Sequence, residues 1–389
     1  MSSTNPAPTA RLLEDLSAHA GSNGSATLPP QVYCSEEIWQ LELERIFRPG
    51  WVNVGHVSEI PTPGDYKAVD VLGEPMVMTR DRDGEIHIVS RVCTHRWMDI
   101  CSGPGTGSTP SLQCPYHKWT FGLEGGLRAA PEMSKTPGFH KADFGLHPFR
   151  HEIWEGFVFV NIDGDAPSTA DMWAPMSAEL SPYGLSDWTI ARSIKWGESA
   201  WDWKVFLDNG ECYHHIGIHH DTLEALVPAR LAHDTNDNGN YTLTYAQVTP
   251  ELLLDDGSGG LDYPSEDPGV PGLTDLQRTS LTLAHPFPNY VIALTPQSAT
   301  WFEVHPLGPG RLDLTTHILL PPHLADAPGL EERIAGHVQT LELVHQQDIE
   351  VCEGVQRGLR STAARRGMLC HLERHNQTFA AWYANHMTR

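Results

Sequence analysis

Two mixed pairs of metal-binding side chains lie within twenty-five residues of each other: Cys93-Thr94-His95 and Cys114-Pro115-Tyr116-His117. Each pair offers one thiolate and one imidazole, whereas zinc fingers usually pair cysteine with cysteine and histidine with histidine. Two thiolates on one iron and two imidazoles on the other would complete a mixed-ligand [2Fe-2S] cluster, whose reduction potential lies above that of an all-cysteine cluster. On this assignment Cys93 and Cys114 hold one iron, and His95 and His117 the other. A zinc knot, or four unrelated residues on strands, are the alternatives that spacing alone leaves open.

A second run, Trp201 to His220, brings carboxylates together with His214, His215, His219 and His220. A mononuclear Fe(II) that activates O2 takes two neutral imidazoles and one carboxylate on one face and leaves positions open. His214 and His219 can supply the imidazoles, and His215 with His220 has the same spacing. Five steps turn about 140° beyond one full helical turn, so a helix end or a π-bulge must bring such a pair together. Gly217 between them suits that break. With 22 histidines in the chain, any single one is most simply a surface or core residue, but four within seven positions are harder to set aside.

The chain resembles the Rieske non-haem iron oxygenases, specifically their catalytic alpha subunits. The resemblance rests on Cys93-Thr94-His95-Arg96, on Cys114-Pro115-Tyr116-His117-Lys118-Trp119-Thr120-Phe121 and on Leu123-Glu124-Gly125-Gly126-Leu127. Trp97 and Lys118 stand where the family commonly has glycine. The Glu211-Cys212-Tyr213-His214 element, followed by His219, resembles the family's iron-binding motif and selects His214 and His219 over the shifted pair. His345 to Leu359 resembles the segment that supplies the third ligand, with Asp348 at the matching place and Glu350 and Glu353 as rivals.

The resemblance also marks Glu211, with Asp208 and Asn209 just before it, as catalytic candidates, although the stretch from Lys204 to Glu211 is one residue shorter than the usual pattern. It implies a Glu211 carboxylate hydrogen-bonded to His214 and to His117 of a neighbouring subunit in a ring-shaped homotrimer. The implied cofactors are the Rieske cluster and a mononuclear Fe(II), with NAD(P)H acting through a flavin- or ferredoxin-type reductase. The implied activity is mono- or dioxygenation of a small organic substrate with O2. Glu at 211 and the Asp348 to Leu359 wording are most similar to the alpha subunits that oxidise betaines, choline and carnitine, where a cage of Trp and Tyr can hold a trimethylammonium group. His215, where betaine enzymes often show Cys, points away from a close match, and an aromatic substrate that is ring-hydroxylated or O-demethylated is the alternative. A Rieske electron carrier without turnover and a zinc hydrolase using the same triad are more remote readings.

Positioning these residues requires two kinds of domain. Short alternating runs at Trp51 to Gly55, Tyr66 to Val71, Pro75 to Thr79, Ile86 to Ser90 and Gly156 to Ile162, separated by Pro63-Gly64-Asp65 and Asp83-Gly84, predict a small antiparallel β domain. Strands around Ile190 to Lys195, Tyr241 to Val248, Tyr290 to Thr295, Thr300 to Pro306 and Arg311 to Leu320, with helices over Lys204 to Gly210 and Leu330 to Arg360, predict a second, α+β domain. That order resembles the helix-grip catalytic domain of the family. The expected division is a mobile tail over 1–28 around a short helix from Arg11 to Ala20, an arm over 29–50, a Rieske domain over 51–165 and a catalytic domain over 166–389. Asp255 to Gly272 reads as a loop near the pocket mouth.

Composition is that of an ordinary globular protein, with 40% hydrophobic and 19% charged residues and no apolar run of membrane-spanning length. A net charge of -23 argues against a nucleic-acid partner. No signal peptide is evident, so the seven cysteines are expected in a reducing cytoplasm, with Cys34, Cys101, Cys212, Cys352 and Cys370 as free thiols.

Overall fold

Alternating apolar residues between turn formers build the first unit, Pro49–Ser168. The computed structural model describes residues 8–20, 25–210, 212–214, 219, 223–235, 239–249 and 269–389. Strands β1 (Val52–His56), β2 (Asp65–Val71), β3 (Glu74–Arg80), β4 (Ile86–Ser90), β5 (Gly105–Ser108), β6 (Leu112–Gln113), β7 (Thr120–Phe121), β8 (Leu127–Ala129), β9 (Arg150–Trp154) and β10 (Phe157–Asn161) form three antiparallel sheets. Their orders are β4-β3-β2-β5, β1-β10-β9 and β6-β7-β8. The five strands expected from sequence agree to within two residues at either end. Met76, Val77 and Met78 are all fully buried, so this central strand is packed on both faces.

The second unit joins the described residues up to Arg48 to Thr169–Arg389. Its helices are α1 (Pro8–Ala20), α2 (Glu36–Glu42), α3 (Thr169–Leu180), α4 (Trp203–Gly210), α5 (Leu223–Leu226), α6 (Asp275–Arg278), α7 (Leu330–Leu359) and α8 (Arg374–Met387). Strands β11 (Thr189–Ser199), β12 (Ala232–Asp234), β13 (Tyr241–Gln247), β14 (Ser280–Pro286), β15 (Tyr290–Leu294), β16 (Ala299–Gly308) and β17 (Arg311–Leu320) form one antiparallel sheet in the order β11-β17-β16-β15-β14-β13-β12. Helix α7 lies on it, with Ile334 packed against Ile318 and Leu320 and the His337 ring 3.0 Å from the Thr300 hydroxyl. Two units of this kind, one β-rich and one sheet with a long helix, make the fold α+β, as expected.

Part of the N-terminal segment is described, including the helix expected there. Helix α1 packs on α8, Asp15 pairs with Arg366 at 3.0 Å, and residues 25–27 run antiparallel to 367–369. Residues 1–7, 21–24 and the 255–268 part of the expected pocket loop lie outside the described residues. No disulfide links the seven cysteines. Among the described residues no helix is long and apolar enough to cross a membrane.

A buried ammonium ties the helical layer together. Lys204, 1% exposed, places Nζ 2.7 Å from Glu42 Oε1 and 2.6 Å from Asp202 Oδ1. The Tyr383 hydroxyl and the Trp203 indole N–H also donate to Glu42, while Asp202 accepts from the Gly310 N–H. The rings of Tyr33, Trp203 and Tyr383 surround the same ammonium at 4.9–5.7 Å. Burial works against the charge, but the Asp202 and Glu42 carboxylates outweigh it and hold the Lys204 pKa above its usual value. One turn on, Asp208 accepts a 2.6 Å hydrogen bond from the Tyr33 hydroxyl. Burial pushes its carboxyl up to about 7 against the pull of that bond.

Removing the ammonium leaves two buried carboxylates uncompensated, so Lys204→Met is expected to cost about 3–5 kcal/mol in urea unfolding. A loss below about 1 kcal/mol would show that the network is not a structural anchor. For Asp208 the proton is bound more tightly in the folded state, so its contribution is complete below about pH 4 and is lost as pH rises through about 7. Asp208→Asn should therefore gain stability relative to the unmodified chain between these pH values, by up to ~4 kcal/mol. A pH-independent difference would contradict the shift.

Candidate metal centres and substrate pocket

The two cysteine-histidine loops close in the same way. Cys93 N–H donates to Met98 O and Trp97 N–H to Cys93 O, both at 2.9 Å. Cys114 N–H donates to Trp119 O at 2.8 Å and Lys118 N–H to Cys114 O at 3.1 Å. In each loop the fourth residue after the cysteine turns left-handed, Trp97 at φ 55° and Lys118 at φ 61°. These are the two positions where the family commonly has glycine, and the loop shape survives with a side chain at each. The left-handed region costs a non-glycine residue roughly 1–2 kcal/mol, which the two carbonyl bonds per loop help offset.

The loops bring Cys93, His95, Cys114 and His117 together. Both cysteines are 1% exposed, and burial, with a smaller contribution from neighbouring Cys114, pushes the Cys93 thiol up. The imidazoles of His95 and His117 lie 4.6 Å apart between centroids, and His95 stacks on Trp119 at 4.7 Å and 7°. Burial, then the neighbouring His117, pulls the His95 pKa down and favours the neutral ring that a metal needs. Nδ1 of each imidazole is buried without a hydrogen-bond partner. Two inward-facing ring nitrogens and two buried thiols suit a cluster whose irons take nitrogen and sulfur separately. Among the described residues, no three of the four donor atoms lie within 4.8 Å of one another, as one tetrahedral zinc would require. The residues therefore fit the two-iron group.

The second centre is partly assembled on α4 and α7. His219, 1% exposed, places Nε2 3.2 Å from Asp348 Oδ1. Its Nδ1 lies 2.6 Å from Gln347 Oε1, and although burial works against the charge, the Asp348 carboxylate and the Gln347 oxygen outweigh it and hold the His219 pKa above its usual value. The Asn209 amide donates to the same Asp348 oxygen at 2.9 Å. Neighbours on α4 are about 100° apart around its axis, which separates the expected pair: Asn209 meets Asp348, while Asp208 faces Tyr33 and a different cavity. Glu350 is exposed and Glu353 pairs with Arg357 at 3.5 Å, which leaves Asp348 as the carboxylate beside His219.

His214 does not join this set. Its ring is 63% exposed and its Nδ1 lies 3.6 Å from Glu373 Oε2. Two of the three expected donors thus converge, and an imidazole with an adjacent carboxylate is part of the donor chemistry Fe(II) requires. Glu211, His215, Gly217 and His220 lie outside the described residues. The sequence reading missed Gln347, although it is Asp348's immediate neighbour, because only the position of His219 reveals what its amide does. Glu373 and Cys370 were also missed, since no metal-ligand spacing links them to His214.

Beside His219 and Asp348 opens a cavity of about 160 Å³. Its wall is hydrocarbon from Leu207, Leu223, Val227, Leu281, Leu283, Val291 and Val344, with aromatic faces from Phe206, Tyr213 and Phe302. No Trp, Lys or Arg lines it among the described residues. Tyr33, Trp203 and Tyr383 surround Lys204 and not this cavity, where Tyr213 is the one Tyr among the described lining residues.

Comparison with known proteins agrees with both centres. Residues 185–389, just over half of the chain, match the ring hydroxylating alpha subunit (catalytic domain) family, and residues 50–140 match the Rieske [2Fe-2S] domain. The glycine betaine monooxygenase oxygenase subunit of Chromohalobacter salexigens is 28% identical over 94% of this chain and 86% of its own length. The carnitine monooxygenase oxygenase subunit of Acinetobacter pittii is 32% identical over 56% of this chain, a match that spans 59% of that subunit. Among solved structures, the quaternary ammonium Rieske monooxygenase CntA superposes with a TM-score of 0.80 at 23% identity, over 96% of this chain and 98% of that one. Naphthalene 1,2-dioxygenase from Rhodococcus sp. superposes with a TM-score of 0.78 at 20% identity, over 97% of this chain and 98% of that one, so at these identities the structures speak for the fold. The chain belongs to the ring-hydroxylating alpha subunits, iron-dependent oxygenases whose cofactors are a Rieske [2Fe-2S] cluster and a mononuclear iron.

Proposed function

We propose that this chain is the oxygenase component of a multicomponent system that hydroxylates or N-demethylates a compact, methyl-rich substrate of the quaternary ammonium class. The observation that carries the reading is the apolar cavity bordered by His219 and Asp348. In this reading Cys93 and Cys114 hold one cluster iron, His95 and His117 the other, and His214, His219 and Asp348 the mononuclear iron. When both groups are bound, the cluster delivers electrons and the iron activates O2 for insertion into the substrate.

The protein's own contribution is orientation and exclusion of water. Gln347 holds the His219 ring by Nδ1, and Asn209 holds the Asp348 carboxylate by one oxygen, so neither donor needs to reorganise before binding. The aliphatic wall strips water from a substrate body, worth about 25 cal/mol per Å² of apolar surface covered. Phe206, Tyr213 and Phe302 offer ring faces to a cationic methyl group, each worth about 0.5–2 kcal/mol. Relatives named as glycine betaine, carnitine and choline monooxygenases support this class. Among the described lining residues no cation is present to pair with a substrate carboxylate, which favours an uncharged aromatic or alkyl compound as the second reading.

The same reading assigns electron supply to a flavin- or ferredoxin-type reductase and assembly to a homotrimer, with Glu211 linking His214 to His117 of a neighbouring subunit. The solved quaternary ammonium Rieske monooxygenase, described in terms of inter-subunit electron transfer, supports that arrangement by analogy. It further assigns the cluster to residues 51–165, the iron to residues 166–389 and the protein to the cytoplasm.

A single turnover tests the substrate class. Dithionite-reduced, iron-loaded protein is given O2 with choline, glycine betaine or a small aromatic, and formaldehyde and hydroxylated products are measured. Formaldehyde or a hydroxylated ammonium compound that disappears in Asp348→Ala is the expected result. Ring hydroxylation alone would transfer the assignment to the second reading, and no product from any of them would contradict the proposed class.

A further inference from the structure

The position of His214 has its own logic, because the group that receives it is also a metal-ligand set. Glu373 Oε1 accepts from the Cys212 thiol at 3.6 Å, and Oε2 accepts from the Cys370 N–H at 2.6 Å. The Cys370 thiol bonds to the same carboxylate. Donor atoms of His214, Cys370 and Glu373 all lie within 4.8 Å of one another. Glu373 N–H also donates to Cys370 O at 3.1 Å, so a tight turn fixes two of these donors relative to each other. On the other side Cys212 and His214 are two residues apart in the chain.

We propose that Cys212, His214, Cys370 and Glu373 form a second site, for a thiophilic divalent cation of the zinc class, that withdraws His214 from the iron centre. Two sulfurs, one imidazole and one carboxylate are a zinc-type donor set, and soft thiolates select zinc over magnesium, calcium or manganese. Neighbouring ligands of a tetrahedral zinc lie about 3.3–3.8 Å apart, so the His214, Cys370 and Glu373 donors, within 4.8 Å of one another, need to close by about 1 Å, while Cys212 must be drawn in from its 3.6 Å contact with Glu373. Binding releases the two thiol protons to solvent while the carboxylate enters ionised, and no electrons move. The regulatory consequence rests on the proposed role of His214 as an iron ligand: one imidazole cannot serve both metals, so zinc here leaves the iron with His219 and Asp348 alone. Zinc would act by competing for a ligand, without entering the iron's own place.

Full-length, cluster-loaded protein is dialysed against Zn2+ with Fe2+ present, and three quantities are read: bound zinc, mononuclear iron and sulfur around zinc by X-ray absorption. About one zinc per chain with sulfur ligands, and a matching loss of one iron, is the expected result. Cys370→Ser and Glu373→Gln should each weaken zinc binding by about tenfold or more and retain iron, whereas Asp348→Ala should still bind zinc. Zinc surrounded only by nitrogen and oxygen, lost in Asp348→Ala and indifferent to Cys370→Ser, would overturn the proposal by placing zinc at the iron centre. Sulfur-bound zinc with undiminished iron would uphold the second site and remove His214 from the proposed iron set. A Cys370→Ser chain that fails to fold is replaced by Glu373→Gln, read in the same way.

Discussion

An ammonium enclosed by protein dictates how the helices of the larger unit can pack. Lys204 is satisfied only where Glu42 of α2 and Asp202 approach together, and Glu42 in turn needs Tyr383 of α8 and the Trp203 indole. A buried pair adds little net stability over an apolar one, but any packing that leaves one partner alone is strongly penalised. The constraint therefore acts on geometry. It fixes α4, which in the next turn and a half presents Phe206, Leu207 and Asn209 to the cavity and Asp208 to Tyr33. The residue that positions Asp348 thus depends on a charge pair that touches neither Asp348 nor His219.

The smaller unit meets its constraint with backbone. Two loops from different strands reach the same closed shape, each with a carbonyl bond on either side of its cysteine and one left-handed residue. Sinking the cysteines into the apolar core beside Trp119 and Phe121 keeps water from the sulfurs, and the stacked His95 ring turns Nδ1 inward. Trp97, 81% exposed, extends away from this core. A bulky residue is tolerated at a glycine position because the strain lies in the main chain and the side chain meets only solvent.

Ligand identity and strand pattern were legible in the sequence to different depths. Mixed Cys and His pairs announced the cluster, and alternation between turn signals located β2, β3 and β4. Strands β5 to β8 escaped because two to four residues carry no period, and α3 because Pro175 sits inside it. Helix α8 escaped for another reason: His375 and Asn376 are buried beside Phe379 and Tyr383, so no apolar stripe marks its inner face. At the proposed iron site the sequence supplied the types and order of three expected donors, while the station of His214 beside Glu373 depends on a turn more than 150 residues away. The split between Asn209 and Asp208 follows from helical geometry once Asp348 is located, and nothing local locates it.

A cavity walled by hydrocarbon and bordered by one held imidazole and one held carboxylate unites these parts, since each constraint ends by orienting a donor or excluding water. The central claim is that one chain carries two separate iron centres with the ligands named. Anaerobic iron and acid-labile sulfide analysis of the loaded protein beside Asp348→Ala tests it most directly. The account predicts about three irons and two sulfides per chain, falling to about two irons with sulfide unchanged in the variant. Two irons and two sulfides in both proteins would contradict the mononuclear centre, and absence of sulfide would contradict the cluster.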